Sequence, residues 1–336
     1  MKLIASVAAV ALALATVHAG AEEIVLKFAT TNAPTSRLVT TNLRPFAQAI
    51  TDDGKGLVKV ETYDGQSIAN QANHLDRTLA DVIQIGWGLT STFGGRFPRS
   101  DAGALPFVSD DSESASVAFW RIYKKGLLDA EYGDIHPLIL SYLTQAGLHL
   151  RKPMKSLTDL AGLKLVASGW ATGQAITKLG AAPLTIPLNE MYEAIQRGTA
   201  DGAMVSWTSF NPFKLAEVTN YHVDTTLGTA PAFVYMAQKK YASLPAEVRA
   251  VLDRHTGEAE ARRFGAWWDG EKKAGLADVV ARNDVNRQIV HLTAAQADSW
   301  KAKTLSIQEE WEKNVSDGAK VLAAYKEELT KVKAGN

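Results

Sequence analysis

The chain has 336 residues, of which 46% are hydrophobic and 21% are charged, with 36 basic and 36 acidic side chains. This charge balance excludes a nucleic-acid binder that relies on a basic surplus. The absence of cysteine excludes disulfide scaffolds, thiol nucleophiles and cysteine-ligated metal sites. The length favours two domains, each with its own core.

Residues 1–21 have the pattern of a secretory signal peptide. Lys2 supplies a positive start, an apolar run extends from Leu3 to Val17, and small residues follow at the spacing of a signal-peptidase site. The apolar run is shorter than the about 20 residues that a membrane-spanning helix needs. The sequence therefore predicts export, cleavage near Ala21 and a periplasmic mature protein without disulfides.

The residues after the signal alternate between strand and helix patterns. Hydrophobic periodicity and turn residues predict strands at 24–30, 57–62, 82–86, 135–144, 148–151, 163–167, 184–186 and 200–206, and helices at 38–50, about 71–80, 171–179 and 189–196. This alternation implies parallel sheets with helices on both faces, in two α/β units.

Beyond Pro245 the pattern is almost wholly helical, apart from a strand-like segment at 285–292. The last helix is predicted to run from Ala294 to about Lys333. Two lobes leave a cleft between them as the default ligand site. Open α/β sheets bind ligands at the carboxyl ends of their strands, which places candidate residues just after Thr30, Gly86, Val166 and Val205.

Sequence signatures of catalysis are missing. The seven histidines include no pair at helical metal-binding spacing, and the chain has no nucleophile elbow, phosphate-binding loop or dinucleotide fingerprint. We expect no metal and no cofactor, and each histidine reads as a satisfied or surface side chain. A periplasmic hydrolase on an α/β scaffold stays open as an alternative, although no nucleophile–base pair can be named for it.

Three segments carry a resemblance to a known family. The runs at 156–165 (SLTDLAGLKL), 179–183 (LGAAP) and 190–202 (EMYEAIQRGTADG) resemble, in order and spacing, segments of the DctP-like solute-binding proteins of TRAP (tripartite ATP-independent periplasmic) transporters. Asp81, Leu105 to Phe107 and the Leu244-Pro245 pair also sit where family members carry comparable residues. Taken singly, these residues read as turn and cap formers of the scaffold.

The resemblance implies a fold, a function and a partner. The fold would be a two-lobed α/β periplasmic binding protein with hinge strands and a long C-terminal helix. Lobe I would comprise 22–145 and about 230–275, and lobe II 146–229 and about 276–336. The protein would be a receptor without catalytic activity that closes over a small organic anion and delivers it to a membrane permease. A receptor for an ATP-driven transporter is the other alternative.

The sequence departs from the family where relatives carry an arginine that grips the ligand carboxylate. Here that position is Val166. Either the ligand lacks the usual carboxylate, or another donor holds it. Arg151 and Gln145 are the nearest candidates by position, and a surface cation is the alternative interpretation of Arg151.

Aromatic residues follow several of the predicted strands. Trp87, Trp170 and Trp207 each follow a strand end that should face the cleft, and Asn32 follows the first strand. A tryptophan ring offers a large flat surface for stacking, although core packing is its usual role. The predicted ligand site therefore comprises Asn32, Trp87, Gln145, Arg151, Val166, Trp170 and Trp207, and its ligand is expected to be an organic acid with an apolar or aromatic body.

Overall fold

The computed structural model describes residues 23–154, 156, 160–281 and 288–336. Eleven strands are found there: β1 (Ile24–Thr30), β2 (Val58–Asp64), β3 (Ile85–Leu89), β4 (Ile135–Tyr142), β5 (Ala146–Leu150), β6 (Lys164–Ala167), β7 (Ala182–Leu184), β8 (Gly202–Ser206), β9 (Tyr221–Asp224), β10 (Pro231–Ala237) and β11 (Gln288–His291). The α-helices of the same residues are α1 (Arg44–Gly54), α2 (His74–Leu79), α3 (Ser112–Lys124), α4 (Asp129–Tyr132), α5 (Trp170–Lys178), α6 (Met191–Arg197), α7 (Phe210–Phe213), α8 (Gln238–Ser243), α9 (Ala246–Arg254), α10 (Glu258–Ala281), α11 (Ala294–Thr304), α12 (Ser306–Asn314) and α13 (Gly318–Lys333).

The strands form two sheets, which confirms the two-lobed α/β prediction. Sheet A has the order β2-β1-β3-β10-β4, and sheet B has the order β11-β9-β5-β8-β6-β7. Both sheets are mixed rather than parallel, because β10 runs antiparallel to β3 and β4, and β5 runs antiparallel to β8 and β9. Periodicity missed β10, whose seven residues are all buried. A strand that is covered on both faces does not alternate.

Sheet A is built on the alternation of its first strand. Leu26 and Phe28 point inward and are buried, whereas Val25 and Lys27 point to solvent. The inward face packs against α1, where the rings of Phe28 and Phe46 meet edge to face with centroids 6.3 Å apart. The predicted helix at 38–50 begins as a π-helical turn over Val39–Leu43 and becomes α1 at Arg44.

The long helix α10 contacts both lobes through two glycines. A Cβ atom at Gly265 would lie 2.4 Å from the carbonyl oxygen of Ser112 in α3, and one at Gly275 would lie 2.5 Å from that of Trp207, just after β8. Backbone therefore meets backbone at both points, which a side chain would prevent. The two glycines are ten positions apart, or about 15 Å along the helix, so α10 bridges the two sheets.

The C-terminal helical region differs from its prediction. The single helix expected from Ala294 to about Lys333 is divided into α11, α12 and α13, and the second break contains an extended Val315 and a left-handed Asp317. The helices α11 and α12 contact α5 below sheet B, whereas α13 returns to pack on α3 beside sheet A. This placement of α13 departs from the assignment of all of 276–336 to lobe II.

Three predicted segments lie wholly or partly outside the described residues. The signal peptide at 1–21 lies outside them, and of the predicted strand at 285–292 they contain β11. Part of the first family-like segment, 157–159, also lies outside them. Within the described residues, no helix combines the length and apolarity that crossing a membrane requires.

Candidate functional site

The two sheets meet at an edge formed by the carboxyl ends of several strands. A Cβ atom at Gly169, which follows β6, would lie 3.9 Å from both the Cβ of Ser91, just after β3, and the carbonyl oxygen of Thr229. Thr229 belongs to the segment that leads from β9 in sheet B to β10 in sheet A. This inter-sheet edge is the place where the fold allows a ligand to contact both lobes.

Gln145 lies in the other chain crossing, between β4 and β5, and is buried. Its Nε2 donates to Ser109 Oγ at 3.0 Å, and its Oε1 accepts from the Gly228 amide at 2.9 Å. The side chain thus ties one crossing to the other and to the lobe I loop after β3. Both ends of the side-chain amide are hydrogen-bonded within the protein. Gln145 therefore has a structural role at the hinge, the two chain connections between the sheets at 143–145 and 225–230.

Hydroxyl groups join the same crossings to sheet B. Thr144 Oγ1 is hydrogen-bonded to Ser206 Oγ at the end of β8. The backbone amide and hydroxyl of Thr208 donate to that same Ser206 oxygen at 3.1 and 2.9 Å. Thr229 Oγ1 lies 2.7 Å from the carbonyl oxygen of Leu143, to which it donates. Short polar side chains therefore fasten the turn at 207–209 to the hinge.

The predicted site residues in lobe I occupy different environments. Asn32 is half-buried, and its Nδ2 donates to Thr30 Oγ1 at 2.9 Å across the end of β1. Trp87 is only 8% exposed and sits in β3 opposite Val234 of β10, within the core of sheet A. Asn32 thus lies at the carboxyl end of β1, whereas most of the Trp87 side chain packs in the core of sheet A.

The two tryptophans of lobe II differ more sharply. Trp170 is the first residue of α5, directly after Gly169, and is 38% exposed. Trp207 is fully buried. Its ring stacks on Phe210 with centroids 4.8 Å apart, and its Nε1 donates to Asp224 Oδ1 at 3.0 Å. Of these two, only Trp170 is exposed, and it directly follows Gly169 at the inter-sheet edge.

Arg151 lies at the opposite end of β5 from that edge. Its backbone amide donates to the Asp201 carbonyl oxygen at 3.0 Å, before β8 begins, and its guanidinium lies against Gly198. It is six positions from Gln145 along extended chain, or about 20 Å. The structure does not bring Arg151 and Gln145 to one site, so this placement gives no support to Arg151 as a ligand contact.

Val166 stands in a row of residues that crosses sheet B. It pairs with Ala203 of β8, Ala203 pairs with His149 of β5, and His149 pairs with His222 of β9. Val166 is fully buried in the cluster that includes Trp207 and Phe210. The row therefore contains two imidazole rings and the valine that stands where the family resemblance implies an arginine.

Sequence reasoning did not single out His149 and His222, which are 73 positions apart. Their Nδ1 atoms lie 3.3 Å apart, and both side chains are fully buried. Burial lowers the pKa of His149 well below its usual range, the neighbouring His222 lowers it further, and the hydrogen bond to the Val205 carbonyl opposes the shift. No spacing rule could have found this pair, because only the β5–β9 register joins it.

Among the described residues, α10 forms ion pairs with both lobes. Arg37, on the loop after β1, makes a two-pronged salt bridge with Glu271 of α10 at 2.7 to 2.9 Å. Lys272, the next residue of α10, lies 3.3 Å from Asp224, the carboxylate that also receives the Trp207 indole. Within the described ranges, no three His, Asp or Glu side chains are grouped as metal ligands.

Two α/β sheets, connected by the chain at 143–145 and 225–230 and bridged by a long helix, are the architecture of a two-lobed solute-binding protein. The profile of one such family, described as "Bacterial extracellular solute-binding protein, family 7" (DctP), matches residues 28–314. The chain belongs to this family, the solute-binding proteins of TRAP transporters, and is therefore a binding protein and not an enzyme. This confirms the resemblance inferred from its motifs.

Three relatives illustrate the similarity. The C4-dicarboxylate-binding periplasmic protein DctP of Rhodobacter capsulatus is 24% identical over 335 residues, 96% of each chain. The TRAP solute-binding protein of Rhodoferax ferrireducens, solved with copurified benzoate, has a TM-score of 0.87 at 25% identity, covering 93% of this chain and 100% of its own. A marine metagenome protein specific for aromatic acids, solved with 3-hydroxybenzoate, has a TM-score of 0.86 at 26% identity, with 93% and 99% covered.

Proposed function

We propose that this chain is the extracytoplasmic receptor for a small organic acid with an aromatic or apolar body. The proposal rests on one combined observation: Val166, where the resemblance implies an arginine, is an uncharged buried residue, and Trp170, which follows Gly169 at the inter-sheet edge, is exposed. The benzoate and 3-hydroxybenzoate complexes of the two structural relatives support the same ligand class.

Charge accounting favours one carboxylate over two. A buried carboxylate needs charge-assisted hydrogen bonds, because leaving it unpaired in a closed cleft costs on the order of 2 kcal/mol or more. Arg37 and Lys272 are already paired with Glu271 and Asp224. A ligand with a single carboxylate and an aromatic body demands less of such a cleft, since ring stacking adds about 0.5–1.5 kcal/mol beyond area burial.

The proposal includes closure of the lobes and delivery to a membrane permease. The sheets are joined at the crossings through Gln145 and Gly228 and bridged by α10, so a hinge movement would change the distance between Ser91 and Gly169 without breaking either sheet. The family's place in TRAP transport supports the integral membrane permease as the partner. The pattern of residues 1–21 supports export to the periplasm.

A competition among acids tests the ligand class. Purified protein stripped of copurified ligand by unfolding and refolding is titrated calorimetrically with benzoate, 3-hydroxybenzoate, cyclohexanecarboxylate, succinate and malate. We expect benzoate or 3-hydroxybenzoate to bind at least about tenfold more tightly than either dicarboxylate, because one carboxylate needs fewer cations. Preference for succinate or malate, as the name of the Rhodobacter relative suggests for that protein, would reverse the assignment.

Substitution of Trp170 tests the ring contact. Trp170→Ala should weaken binding of the preferred aromatic acid by about tenfold and change the melting temperature little, because its ring is 38% exposed. Trp120→Ala on α3, where the ring lies against Tyr123, is the matched control and should change stability without changing affinity. Equal affinity in wild type and Trp170→Ala would remove Trp170 from the site.

Export is tested separately. Mass spectrometry of the protein from the periplasmic fraction should give a mature chain that starts near residue 22. A mature pool that retains Met1 would contradict cleavage.

A further inference from the structure

The turn that precedes α3 contains a strained residue. Among the described residues other than glycine, five have a positive φ, and Phe107, at 60°, is the only aromatic one. The Val108 amide donates to the Leu105 carbonyl oxygen at 3.3 Å, with Pro106 and Phe107 between them. Proline at the second position and a positive φ at the third are the features of a type II turn, whose third residue is ordinarily glycine or asparagine. A phenylalanine in that conformation is disfavoured, because its Cβ atom crowds the backbone.

One peptide group of this turn is held from both sides. The carbonyl oxygen of Pro106 accepts from Gln308 Nε2 of α12 at 3.0 Å. The amide of Phe107, which belongs to the same peptide group, donates to the carbonyl oxygen of Thr226 at 2.9 Å. Thr226 lies in the connection at 225–230 that leads from sheet B to sheet A. The surrounding structure therefore holds the Pro106–Phe107 peptide in the orientation that strains Phe107.

A second form of the turn would not be strained. Type I and type II turns share the hydrogen bond that closes the turn, and proline suits the second position of both. They differ in the direction that the peptide group between the second and third residues faces. Rotating the Pro106–Phe107 peptide by about half a turn would give Phe107 a negative φ, while its carbonyl would leave Gln308 and its amide would leave Thr226. One rotation therefore relieves the strain and breaks both hydrogen bonds.

Both hydrogen-bond partners of this peptide are connected to sheet B, whereas the turn itself leads into α3 beside sheet A. Thr226 is two positions beyond the end of β9. Gln308 belongs to α12, which is attached to both lobes. Its Trp311 donates to the Pro98 carbonyl oxygen in lobe I, and its Glu310 is ion-paired with α5 in lobe II. A movement of sheet B relative to sheet A therefore displaces Thr226 directly and Gln308 through α5.

The lobes of this structure are in contact. A Cβ atom at Gly169 in lobe II would lie 3.9 Å from the Cβ of Ser91 in lobe I, which is an ordinary van der Waals distance. The strained form of the turn therefore occurs together with closed lobes. Since opening would move Thr226 and Gln308 relative to the turn, it would remove the contacts that hold the strained form.

We propose that the Pro106–Phe107 peptide is a two-position switch coupled to lobe closure: it faces Thr226 and Gln308 while the lobes are closed and rotates when they separate. Phe107 is then a positioning residue, which acts on affinity through the balance of open and closed forms and not through a ligand contact. Its strain favours the open form, and ligand binding offsets that strain. The inference rests on the proposed function for lobe closure and for the ligand.

A matched pair of variants isolates the strain. Phe107→Gly and Phe107→Ala both remove the ring, but only glycine adopts a positive φ without steric cost. In calorimetric titrations with benzoate and 3-hydroxybenzoate, we expect Phe107→Gly to bind at least about threefold more tightly than Phe107→Ala, because a larger share of the glycine variant is in the closed form. Small-angle scattering of the two ligand-free proteins should give the smaller radius of gyration for Phe107→Gly.

Gln308→Glu tests the other side of the peptide with little change in packing, and it serves also if the variants at 107 do not fold. The new side chain keeps its shape and can still accept from Lys326 Nζ, which lies 3.0 Å from Gln308 Oε1, but it presents an acceptor to the Pro106 carbonyl. We expect the affinity for the same two acids to fall about threefold or more. Gln48→Glu on α1 is the matched control for the added charge and should change affinity by less than about twofold.

Equal affinities of Phe107→Gly and Phe107→Ala overturn the proposal, because a turn that serves only packing loses the same ring in both variants. If neither aromatic acid binds to the wild-type protein, the ligand class of the proposed function fails, and the ligand-free scattering comparison decides on the switch. A smaller radius of gyration in Phe107→Gly then supports it, and equal radii overturn it.

Discussion

The two lobes each enclose a pair of ionisable side chains, but the pairs are of opposite kind. Lobe I holds two carboxyl groups with raised pKa, those of the partly buried Asp101 and the buried Glu131: loss of solvation raises the pKa of Asp101 to about 7, and that of Glu131 also to about 7. Lobe II buries His149 and His222, and burial lowers the pKa of His149 well below its usual range. Desolvation favours the neutral form in both cases, so it raises the pKa of an acid and lowers that of a base.

This difference predicts opposite responses of the lobes to pH. A carboxyl group whose pKa is raised in the folded state contributes stability that is complete below its unfolded pKa, about 4, and is lost as the pH rises toward about 7. A histidine whose folded pKa is lowered contributes stability that is complete above its unfolded pKa, about 6.5, and is lost as the pH falls. Lowering the pH should therefore stabilise the fold of lobe I and destabilise that of lobe II.

The lobes are also alike in one respect, their contact with α10 through glycine, and this contact gives the largest expected effect. Gly265→Ala and Gly275→Ala should each lower the free energy of unfolding by about 2–3 kcal/mol, because the new Cβ would overlap a backbone carbonyl. Gly270→Ala is the control on the same helix, since a Cβ there meets nothing within 4 Å. It should stabilise by up to about 1 kcal/mol through helix propensity.

Denaturant titration at neutral pH measures the three variants. If Gly265→Ala and Gly275→Ala are as stable as Gly270→Ala, α10 does not bridge the lobes by close backbone contact. A change in the NMR signal of the Trp207 indole in Gly275→Ala, but not in Gly265→Ala, would locate the second glycine contact beside Trp207.

The next effect is expected in the carboxyl pair. Asp101→Asn should raise the free energy of unfolding by about 2 kcal/mol at pH 8 and by much less at pH 4, because it removes a poorly solvated carboxyl group that ionises only at the higher pH. Glu131→Gln is the contrasting variant. Its carboxylate accepts from the backbone amide and hydroxyl of Ser100 at 3.1 and 2.9 Å, so its removal also loses hydrogen bonds.

Thermal unfolding across this pH range measures both carboxyl variants. A wild-type protein whose stability rises steadily from pH 4 to pH 8, with no change of slope in Asp101→Asn, would contradict the account of lobe I.

A smaller effect is expected for the stability of lobe II. His149→Gln should cost about 1 kcal/mol at pH 8, through imperfect packing beneath Trp207, and should reduce the loss of stability that wild type shows below about pH 6.5. The measurement is the difference in unfolding free energy between pH 8 and pH 5.5 for both proteins. An unchanged difference would mean that the histidine pair does not control the acid response of the fold.

Local sequence patterns predicted much of the fold, and the reason differs from one element to the next. β1 was predictable because Leu26 and Phe28 alternate with exposed Val25 and Lys27. β10 was not, since every residue in it is buried and the period is lost. The division of the C-terminal helix at Val315 to Asp317 was also missed, because no proline interrupts the run and its one glycine, Gly318, begins α13.

The candidate site was less predictable, because its residues meet only through strand register. Trp87, Trp170 and Trp207 follow similar strand patterns, yet they are 8%, 38% and 0% exposed. Sequence position placed all three near strand ends but could not say which rings the neighbouring strands cover. The pairing of His149 with His222 likewise depends on β5 lying beside β9, which no local rule supplies.

The smallest expected effect concerns Arg151, whose sequence position suggested a ligand contact. Its backbone amide bonds to Asp201 at the end of sheet B farthest from Gln145, about 20 Å away along β5. Even a fully extended arginine side chain covers only a fraction of that distance. Arg151→Ala should therefore change the affinity for the preferred acid by less than about twofold, and it should act on stability instead, through lost packing beside Gly198. Calorimetric titration of Arg151→Ala beside Trp170→Ala makes the comparison direct. A loss of affinity in Arg151→Ala as large as that in Trp170→Ala would mean that the ligand binds at the outer end of sheet B, and the inter-sheet edge would no longer be the site.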